Sequence, residues 1–256
     1  MVQQLQGASL ESRVARLQEL TKVADPIAVQ TFEHTLHMSW IYHDSALEGV
    51  VYTEDELKSA ILEQAPTDSA LLPVYDEIRN HKAAIDMIRE MATKKRFSLT
   101  LDVIKKIYAQ LAPEELEGRA QPTYRKDMPL HRLYFHEISA PEKISYKMRQ
   151  LVQWASAPET KRSTHAVRLA CKTHYTLLQI YPFPRQSGKV ARLVMNLLLL
   201  RQGYPPVIIP ATQRQRYYET LKQSDDAVSG LVTTALGASV ESAINFFEMK
   251  AAEDES

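Results

Sequence analysis

Glycine is the residue that this chain most clearly lacks, with 7 glycines among 256 residues. Average usage of about 7% would give about 18. The closest two, Gly230 and Gly237, stand seven positions apart, which argues against a glycine-rich phosphate loop. Propellers and sandwiches with many tight turns also need more glycine. The shortage therefore predicts a helical protein with few left-handed turns.

Cysteine and net charge are scarce as well. The single cysteine, Cys171, excludes an internal disulfide and a cysteine metal cluster, and it suits a reducing compartment. Lys and Arg together number 31, as do Asp and Glu, so the formal charge is zero. A neutral balance offers no general electrostatic reason to bind nucleic acid or an anionic membrane. We therefore expect no nucleic-acid partner. Cys171 lies on the helix before the motif described below, and we expect it to be a core residue.

Long apolar runs are absent too. The first residues, MVQQLQGASLESRVARL, contain no apolar run like that of a signal peptide. The longest apolar stretch, from Leu193 to Leu200, is interrupted by Asn196. A membrane-spanning helix needs about 20 apolar residues. The sequence therefore predicts a cytoplasmic protein without a membrane span.

Helical periodicity dominates what is present. Apolar residues at three- and four-residue steps predict a helix over 8–23, and Asp25-Pro26 is a start signal for a second helix over 26–47, which Gly49 ends. Thr53 and Glu56 form a capping-box pattern that opens a short helix to about residue 63. Further helices are predicted over 68–93, 100–113, 141–156, 163–180, 187–202, 211–224 and 226–250.

Residues 114–140 break the helical pattern. They contain Gly118, prolines and an aromatic run of mixed polarity over 130–136, which favours an extended segment or small hairpin. No repeat, linker or compositional break divides the chain. We expect an N-terminal helical region over 1–65, a core domain over 66–250 and a frayed acidic tail over 251–256.

The segment from Ile180 to Pro210 carries the clearest functional signal. Pro182 and Pro184 end one helix at Tyr181, and a buried helix begins after a short turn. The N-terminus of such a helix can bind an anion, and Lys189 and Arg192 add positive charge on one face. A surface loop with solvated basic residues is an equally weighted alternative. A P-loop is excluded because Phe183 and Val190 stand where a glycine and a Ser or Thr belong.

This segment resembles the signature of the Fic family, H-P-F-x-D/E-G-N-G-R-x-x-R. Tyr181-Pro182-Phe183 stands on H-P-F, Arg185 on the acidic residue, Gln186-Ser187-Gly188 on G-N-G, and Lys189 and Arg192 on the two arginines. The flanking sequence is similar to Fic enzymes that transfer AMP to protein hydroxyls, at His174, Glu77-Ile78-Arg79-Asn80, 193–198, 203–210, Gln213-Arg214 and Tyr217-Tyr218. The resemblance implies an all-α Fic-type helical bundle with a small β-hairpin flap.

A second family element precedes the core. Many Fic proteins carry an inhibitory helix of the form S/T-x-x-x-E-G/N, which residues 44–49 resemble at Glu48 and Gly49, while Asp44 replaces the Ser or Thr. The resemblance implies that Glu48 pairs with Arg192 and blocks productive placement of the ATP γ-phosphate. An ordinary helix end with a glycine cap at Gly49 is the alternative.

The departures from the signature remove several chemical requirements together. Tyr181 replaces the histidine base, and a phenol has a reference pKa of about 10 against about 6.5 for imidazole. Losing a general base costs about 100- to 10,000-fold in rate. Arg185 replaces the magnesium carboxylate with a positive charge, Gln186 puts a side chain where left-handed backbone favours glycine, and Lys189 loses the bidentate fork of arginine. We expect a pseudoenzyme or an enzyme with changed chemistry.

Three functional hypotheses follow from this resemblance. The first is a degenerate Fic protein that binds a protein partner or a nucleotide such as ATP without magnesium. The second is an active transferase with a changed mechanism, and the third is a regulatory scaffold without a small ligand. No metal site is expected, since His34 and His37 lack a third ligand. A homo-oligomer is compatible with each hypothesis. The residues assigned to phosphate binding are Arg185, Gln186, Ser187, Gly188, Lys189 and Arg192, and those assigned to the flap or a partner are Tyr124, Arg125, His131 and His136.

Overall fold

Eleven α-helices make up most of the described chain. The computed structural model describes residues 9–116, 118–129 and 136–254. The helices are α1 (Leu10–Val23), α2 (Pro26–Leu47), α3 (Glu54–Ile61), α4 (Leu72–Thr93), α5 (Leu101–Leu111), α6 (Pro141–Ser156), α7 (Pro158–Ser163), α8 (Ala166–Ile180), α9 (Ser187–Leu200), α10 (Arg214–Gln223) and α11 (Asp225–Asp254). The all-α prediction is confirmed.

The predicted hairpin is not seen in the part of the chain that the structure describes. No strand occurs among residues 118–129 or 136–140, which run as turns and extended backbone. The aromatic stretch on which the prediction rested, residues 130–135, lies outside the described residues, and so does His131.

Local capping signals set the ends of the N-terminal helices. The Asp25 carboxylate accepts the Ile27 N–H at 2.8 Å, so α2 begins at Pro26 as predicted. It ends at Leu47, and Gly49 has a φ of +91°, the left-handed conformation that favours glycine. At α3, Thr53 and Glu56 form the reciprocal hydrogen bonds of a capping box. These three boundaries follow from sequence alone.

Two boundaries correct the sequence predictions. The helix expected over 163–180 begins later, at Ala166, because Thr164 has extended backbone, and Pro158 starts a separate short helix, α7, that the sequence did not predict. The tail expected to fray from residue 251 continues α11 as far as Asp254. Lys250 Nζ lies 2.6 Å from Glu253 Oε2 in this last turn, and an ion pair at this spacing supports a helix.

Helix α9 lies at the centre of the packing. It contacts α8 along its length and α4 and α5 on other sides, while α11 packs on α8 and on α1. Nearly all side chains of α9 are buried, including its charged residues Lys189 and Arg192. Cys171, on α8, is fully buried as predicted. The loop before α9 is therefore held between elements from both halves of the chain.

Helix α11 is long and apolar enough to cross a membrane by length and composition. Half of that apolar stretch, within Asp225–Glu253, is buried inside the protein. The burial comes from contacts with α1, α2, α8 and α10. This helix therefore contributes to the same hydrophobic core that extends from Val14 to Phe247.

Candidate functional site

The loop between α8 and α9 begins and ends in left-handed backbone. Tyr181 has a φ of +50° and Gln186 a φ of +59°. Such conformations cost of order 1–3 kcal/mol each in residues other than glycine, and they cluster at functional sites. The expectation that a side chain at 186 would prevent this geometry is wrong. Gln186 adopts it, and its amide donates to Glu77 Oε1 at 3.3 Å on the facing helix α4.

Phe183 and Ser187 close the loop on itself. The Phe183 N–H donates to Ser187 Oγ at 2.9 Å, and that hydroxyl donates to the Phe183 carbonyl at 3.1 Å. The Phe183 ring stacks on Tyr108 with centroids 3.9 Å apart and planes nearly parallel. Ser187, assigned to phosphate binding from the sequence, therefore uses its hydroxyl to fix the loop.

Arg125 holds the carbonyl groups at the end of α8. Its guanidinium donates to the Tyr181 carbonyl at 2.7 Å, to the Asp127 carbonyl at 2.9 Å and to the Ser139 carbonyl, and its N–H donates to the Pro182 carbonyl at 2.9 Å. The side chain is buried. Its assignment to a partner surface is corrected, because these carbonyl groups need a donor inside the protein.

His136 is corrected for the same reason. It is buried, and its Nε2 lies 3.1 Å from the Leu178 carbonyl. Tyr124 is half-buried against the Phe183 ring, with centroids 5.8 Å apart. Of the four residues assigned to a flap or a partner, these two and Arg125 support the loop and the end of α8, and His131 lies outside the described residues.

Arg192 is a buried charge of the site with two carboxylate partners. Its Nε donates to Asp44 Oδ1, its Nη2 donates to Glu48 Oε1 at 2.7 Å, and its Nη1 lies 3.5 Å from the Tyr217 hydroxyl. The second Asp44 oxygen, Oδ2, lies 3.0 Å from His81 Nε2. Burial alone would raise the pKa of Asp44, but Arg192 and His81 outweigh it and hold the pKa at about 2. The pairing of Glu48 with Arg192 has the geometry that the family resemblance implied.

Gly188 makes room for the Glu48 carboxylate. A Cβ added at Gly188 would lie 2.1 Å from Glu48 Oε1 and 3.1 Å from Arg192 Nη1. The carboxylate therefore lies against the first turn of α9, where backbone N–H groups and the helix dipole favour an anion. Glu48 fills the position that the sequence predicted for a phosphate group.

Lys189 pairs with a different carboxylate, that of Glu77 on α4. Its side chain is 1% exposed, and its Nζ lies 2.8 Å from Glu77 Oε1 on α4. Burial favours the neutral carboxyl, but Lys189 and Gln186 outweigh it and lower the pKa of Glu77. Both basic residues that the sequence assigned to α9 are thus held by carboxylates of the same chain.

Arg185 faces solvent instead. Its side chain is 56% exposed and pairs with Glu114 at 3.2 Å and Glu115 at 3.5 Å. Exposed ion pairs of this kind contribute little free energy and exchange readily. Arg185 is therefore the cation of the motif that an outside anion reaches with least rearrangement.

The candidate proton acceptors of the site are poorly suited to that role. Burial raises the pKa of Tyr181 to about 12, and the nearby Glu48 carboxylate adds to the shift. Burial lowers the pKa of His174 to about 3, with a further contribution from Arg192. His174 Nε2 lies 2.9 Å from the Tyr217 hydroxyl, deep in the core. A phenol at Tyr181 stays protonated at neutral pH.

The donor set does not fit a magnesium ion. Arg185 stands where the family has its metal-binding carboxylate, and the nearby carboxylates of Asp44, Glu48 and Glu77 each contact a basic side chain. Among the described residues no group of three His, Cys, Asp or Glu has a metal-binding arrangement. His37, considered earlier for metal, has its Nε2 2.9 Å from Asp86 Oδ1.

Hydrogen bonds from α10 hold the end of α2 and so position Glu48, the next residue. The Leu47 carbonyl accepts hydrogen bonds from Tyr218 Oη at 2.8 Å and from Arg214 Nε at 2.9 Å. One turn earlier, His43 Nδ1 accepts the Ala211 N–H at 3.2 Å. Arg214 and Tyr218 belong to the sequence pairs that carried the family resemblance, and here they position the helix end.

Three residues of the site receive no role from the sequence, namely Glu77, His81 and Tyr217. Glu77 is the counter-ion of Lys189, His81 lies beside Asp44, and Tyr217 contacts Arg192. Glu77 and Tyr217 are part of the family resemblance, but nothing in their spacing indicates their partners. His81 follows Glu77 by one helical turn on α4, so both face the same neighbours. That spacing is the only signal for His81 in the sequence.

The comparisons with known proteins agree with this architecture. Residues 98–199 match the model of the Fic/DOC family. A protein adenylyltransferase Fic from Drosophila ananassae is 28% identical over 229 residues, covering 88% of this chain and 45% of the relative. The chain thus spans about half the length of the curated relatives that it matches.

Solved structures match over most of the chain. A Fic-domain-containing signalling protein from Bacteroides thetaiotaomicron superposes with a TM-score of 0.80 at 22% identity, covering 94% of this chain and 98% of that one. Fic-1 from C. elegans gives a TM-score of 0.74 at 20% identity, covering 93% and 70% of the two chains. At these identities the likeness establishes the fold.

Proposed function

Because the chain belongs to the Fic/DOC family over residues 98–199, we propose that it is a Fic protein without standard AMP transfer, acting through a protein partner. The observation that supports this most directly is that carboxylates of the same chain occupy the predicted phosphate site at the first turn of α9. Glu48 lies against Gly188 and Arg192, and Glu77 neutralises Lys189. A nucleotide phosphate finds no uncompensated charge on α9 unless these carboxylates move.

The proposal also draws on the chemistry of proton transfer. Transfer of AMP to a hydroxyl needs a base that accepts the hydroxyl proton. Tyr181, on the position of the family histidine, keeps its proton at neutral pH because its pKa is about 12. With a phenol there and Arg185 in place of a carboxylate, the base and the metal ligand are both missing.

A protein partner is proposed because the matched relatives are named protein adenylyltransferases. Loss of transfer chemistry leaves a fold that such proteins use to engage a protein substrate. In this proposal the chain binds that class of partner without modifying it.

A second candidate function is transfer without metal, and Arg185 favours it. The exposed guanidinium has only surface glutamates as partners, so it is free to exchange them for nucleotide phosphates. In that case Arg185 would supply the positive charge that magnesium supplies in the family. This candidate predicts ATP binding that persists in EDTA.

A labelling assay tests the proposal. Wild-type protein and Glu48→Gly are incubated with cell lysate and ATP labelled in the α-phosphate, in magnesium and in EDTA, beside a Fic enzyme with an intact motif as positive control. We expect label from the positive control alone. Label transferred by either form in magnesium only would overturn the proposal, and label that persists in EDTA would establish the second candidate in its place.

A further inference from the structure

The guanidinium of Arg192 has two carboxylate partners that do not compete with each other. Asp44 accepts from Nε through Oδ1, and Glu48 accepts from Nη2 at 2.7 Å. The main-chain carbonyl of Asp44 accepts from Nη2 as well, at 3.2 Å. Because the carboxylates use different N–H groups, withdrawing Glu48 leaves the bond to Asp44 in place.

The two carboxylates differ in how readily they can leave. Glu48 is the cap residue of α2, next to Gly49, and its side chain is 16% exposed. Asp44 lies one turn inside the helix, its side chain is 4% exposed, and its second oxygen lies 3.0 Å from His81 Nε2. Glu48 is therefore the more readily withdrawn of the two carboxylates, and Asp44 is the more firmly enclosed.

The charge balance around Arg192 gives this difference a consequence. With both carboxylates in place, one buried guanidinium faces two negative charges. With Glu48 withdrawn, Arg192 and Asp44 still form a neutral pair, so an arriving phosphate meets no net positive charge. Only when Asp44 is neutral as well does the guanidinium regain the charge and the N–H groups that bind an oxyanion.

We propose that Asp44 is a second carboxylate that keeps Arg192 paired independently of Glu48. The cleft formed by Arg192 and the first turn of α9 then accepts a nucleotide phosphate only when both Asp44 and Glu48 are neutralised or withdrawn. In this chain the replacement of a family Ser or Thr by Asp44 converts a releasable block into a lasting one. This inference rests on the proposed function and adds to it a positioning residue that keeps Arg192 from nucleotide even in the released state.

Calorimetric titration with ATP in EDTA tests the inference on four proteins: wild type, Glu48→Gly, Asp44→Asn and the double variant. Asp44→Asn keeps the shape of the side chain and removes its charge. We expect the double variant to bind ATP at least tenfold more tightly than Glu48→Gly, with no measurable heat from wild type or Asp44→Asn at millimolar ATP. Glu33→Gln is the matched control, since Glu33 is also a carboxylate of α2 paired with an arginine, Arg89, away from the cleft. It should behave as wild type.

Chemical modification gives a readout that does not depend on nucleotide binding. Phenylglyoxal reacts with arginine that is accessible and free of an anion, and mass spectrometry of peptides locates the modified residue. Arg192 should stay protected in wild type and Glu48→Gly and react in the double variant. If the double variant fails to melt cooperatively, Asp44→Ser with Glu48→Gln takes its place in both measurements.

Equal ATP affinity of Glu48→Gly and the double variant would overturn the inference, and so would a folded double variant that binds no ATP. Reaction of Arg192 with phenylglyoxal in Glu48→Gly alone would overturn it too. These outcomes differ from failure of the proposed function, which is label transfer by wild type or Glu48→Gly and leaves the order of affinities untouched.

Discussion

At the scale of single residues, Gly188 supplies room rather than backbone freedom. It lies in the first turn of α9, and its missing side chain admits the Glu48 carboxylate to the helix terminus. Left-handed backbone at this loop is borne instead by Tyr181 and Gln186. Of the two glycines in the family motif, the one that this chain retains is the one that the internal carboxylate requires.

A double-mutant cycle tests this role of Gly188. Gly188→Ala should destabilise the wild-type protein, because the new methyl group displaces the Glu48 carboxylate from Arg192. In a Glu48→Ala background the same change should destabilise less, because only the contact with Arg192 Nη1 remains and the helix propensity of Ala exceeds that of Gly by about 1 kcal/mol. Urea unfolding of the four proteins measures the coupling.

Gly230→Ala is the matched control for this cycle. Gly230 lies within α11 and a Cβ there meets nothing within 4 Å. Its substitution should stabilise the protein equally in both backgrounds. A Gly188→Ala effect of the same size with and without Glu48 would contradict the proposed contact.

Asp44 predicts a loss of stability in acid. Its pKa in the folded protein is about 2, below the ordinary value of 3.8. A depressed pKa contributes stability that is complete above about pH 4 and disappears as the pH falls toward 2, here about 2 kcal/mol. Unfolding in urea between pH 5 and pH 2.5 should therefore show wild type losing more stability than Asp44→Asn.

Asp86 offers a comparison at the surface. A hydrogen bond from His37 lowers its pKa to about 2 as well, although burial opposes the shift. Its side chain is 45% exposed, so water screens the interaction, and Asp86→Asn should change the acid dependence less than Asp44→Asn does. Identical pH profiles for wild type and Asp44→Asn would refute the buried ion pair.

At the scale of elements, the end of α8 depends on a side chain from a distant loop. The Arg125 guanidinium donates to the carbonyls of Tyr181 and Ser139, and its backbone N–H donates to the Pro182 carbonyl. Arg125 therefore joins the 118–129 segment to the start of the motif. Two prolines leave this stretch without helical hydrogen bonds of its own. A buried arginine with several donors satisfies the carbonyls that the broken helix leaves open.

Arg125→Ala should destabilise the protein by about 3 kcal/mol, since it leaves buried carbonyls without donors. Lys126→Ala, at the exposed neighbouring position, should stay within about 0.5 kcal/mol of wild type. Thermal and urea unfolding give both values. A loss below about 1 kcal/mol for Arg125→Ala would return Arg125 to the flap or partner role that the sequence predicted for it.

At the scale of the whole molecule, the N-terminal helices and the region that matches the Fic/DOC family model share one hydrophobic interior. Buried residues of this core extend from Val14 on α1 to Phe247 on α11. Carboxylates of α2 and α4 reach the basic residues of α9 across that interior. Release of the N-terminal region as a separate unit would expose both apolar surface and buried charge.

The two tryptophans allow a direct test of this cooperativity. Trp40 lies on α2 and Trp154 on α6, and the chain has no other tryptophan. Variants Trp40→Phe and Trp154→Phe each retain one reporter, one in each region. Urea unfolding followed by the remaining fluorescence and by circular dichroism should coincide within each protein. Loss of the Trp40 signal at lower urea than the helical signal would indicate a separate N-terminal unit.

Most of the fold could be predicted from the sequence because its signals are local. Asp25-Pro26, the Thr53 capping box and Gly49 each act within a few residues, so the bounds of α2 and α3 follow directly. Errors arose where tertiary contacts outweigh local preference. Gln186 takes left-handed backbone with an amide bond to Glu77, which lies 109 positions away.

The candidate site likewise has features that follow from local sequence and features that depend on tertiary contacts. The sequence by itself determined the loop between two helices, the residues on the Fic signature and the substitutions at Tyr181 and Arg185, because these are matters of residue identity and short spacing. Only the tertiary structure decided that Glu77 pairs with Lys189 across 112 positions and that Asp44, which lies beside His81, pairs with Arg192. A buried charge must find its counter-ion wherever the packed helices bring one, and no local pattern names that partner.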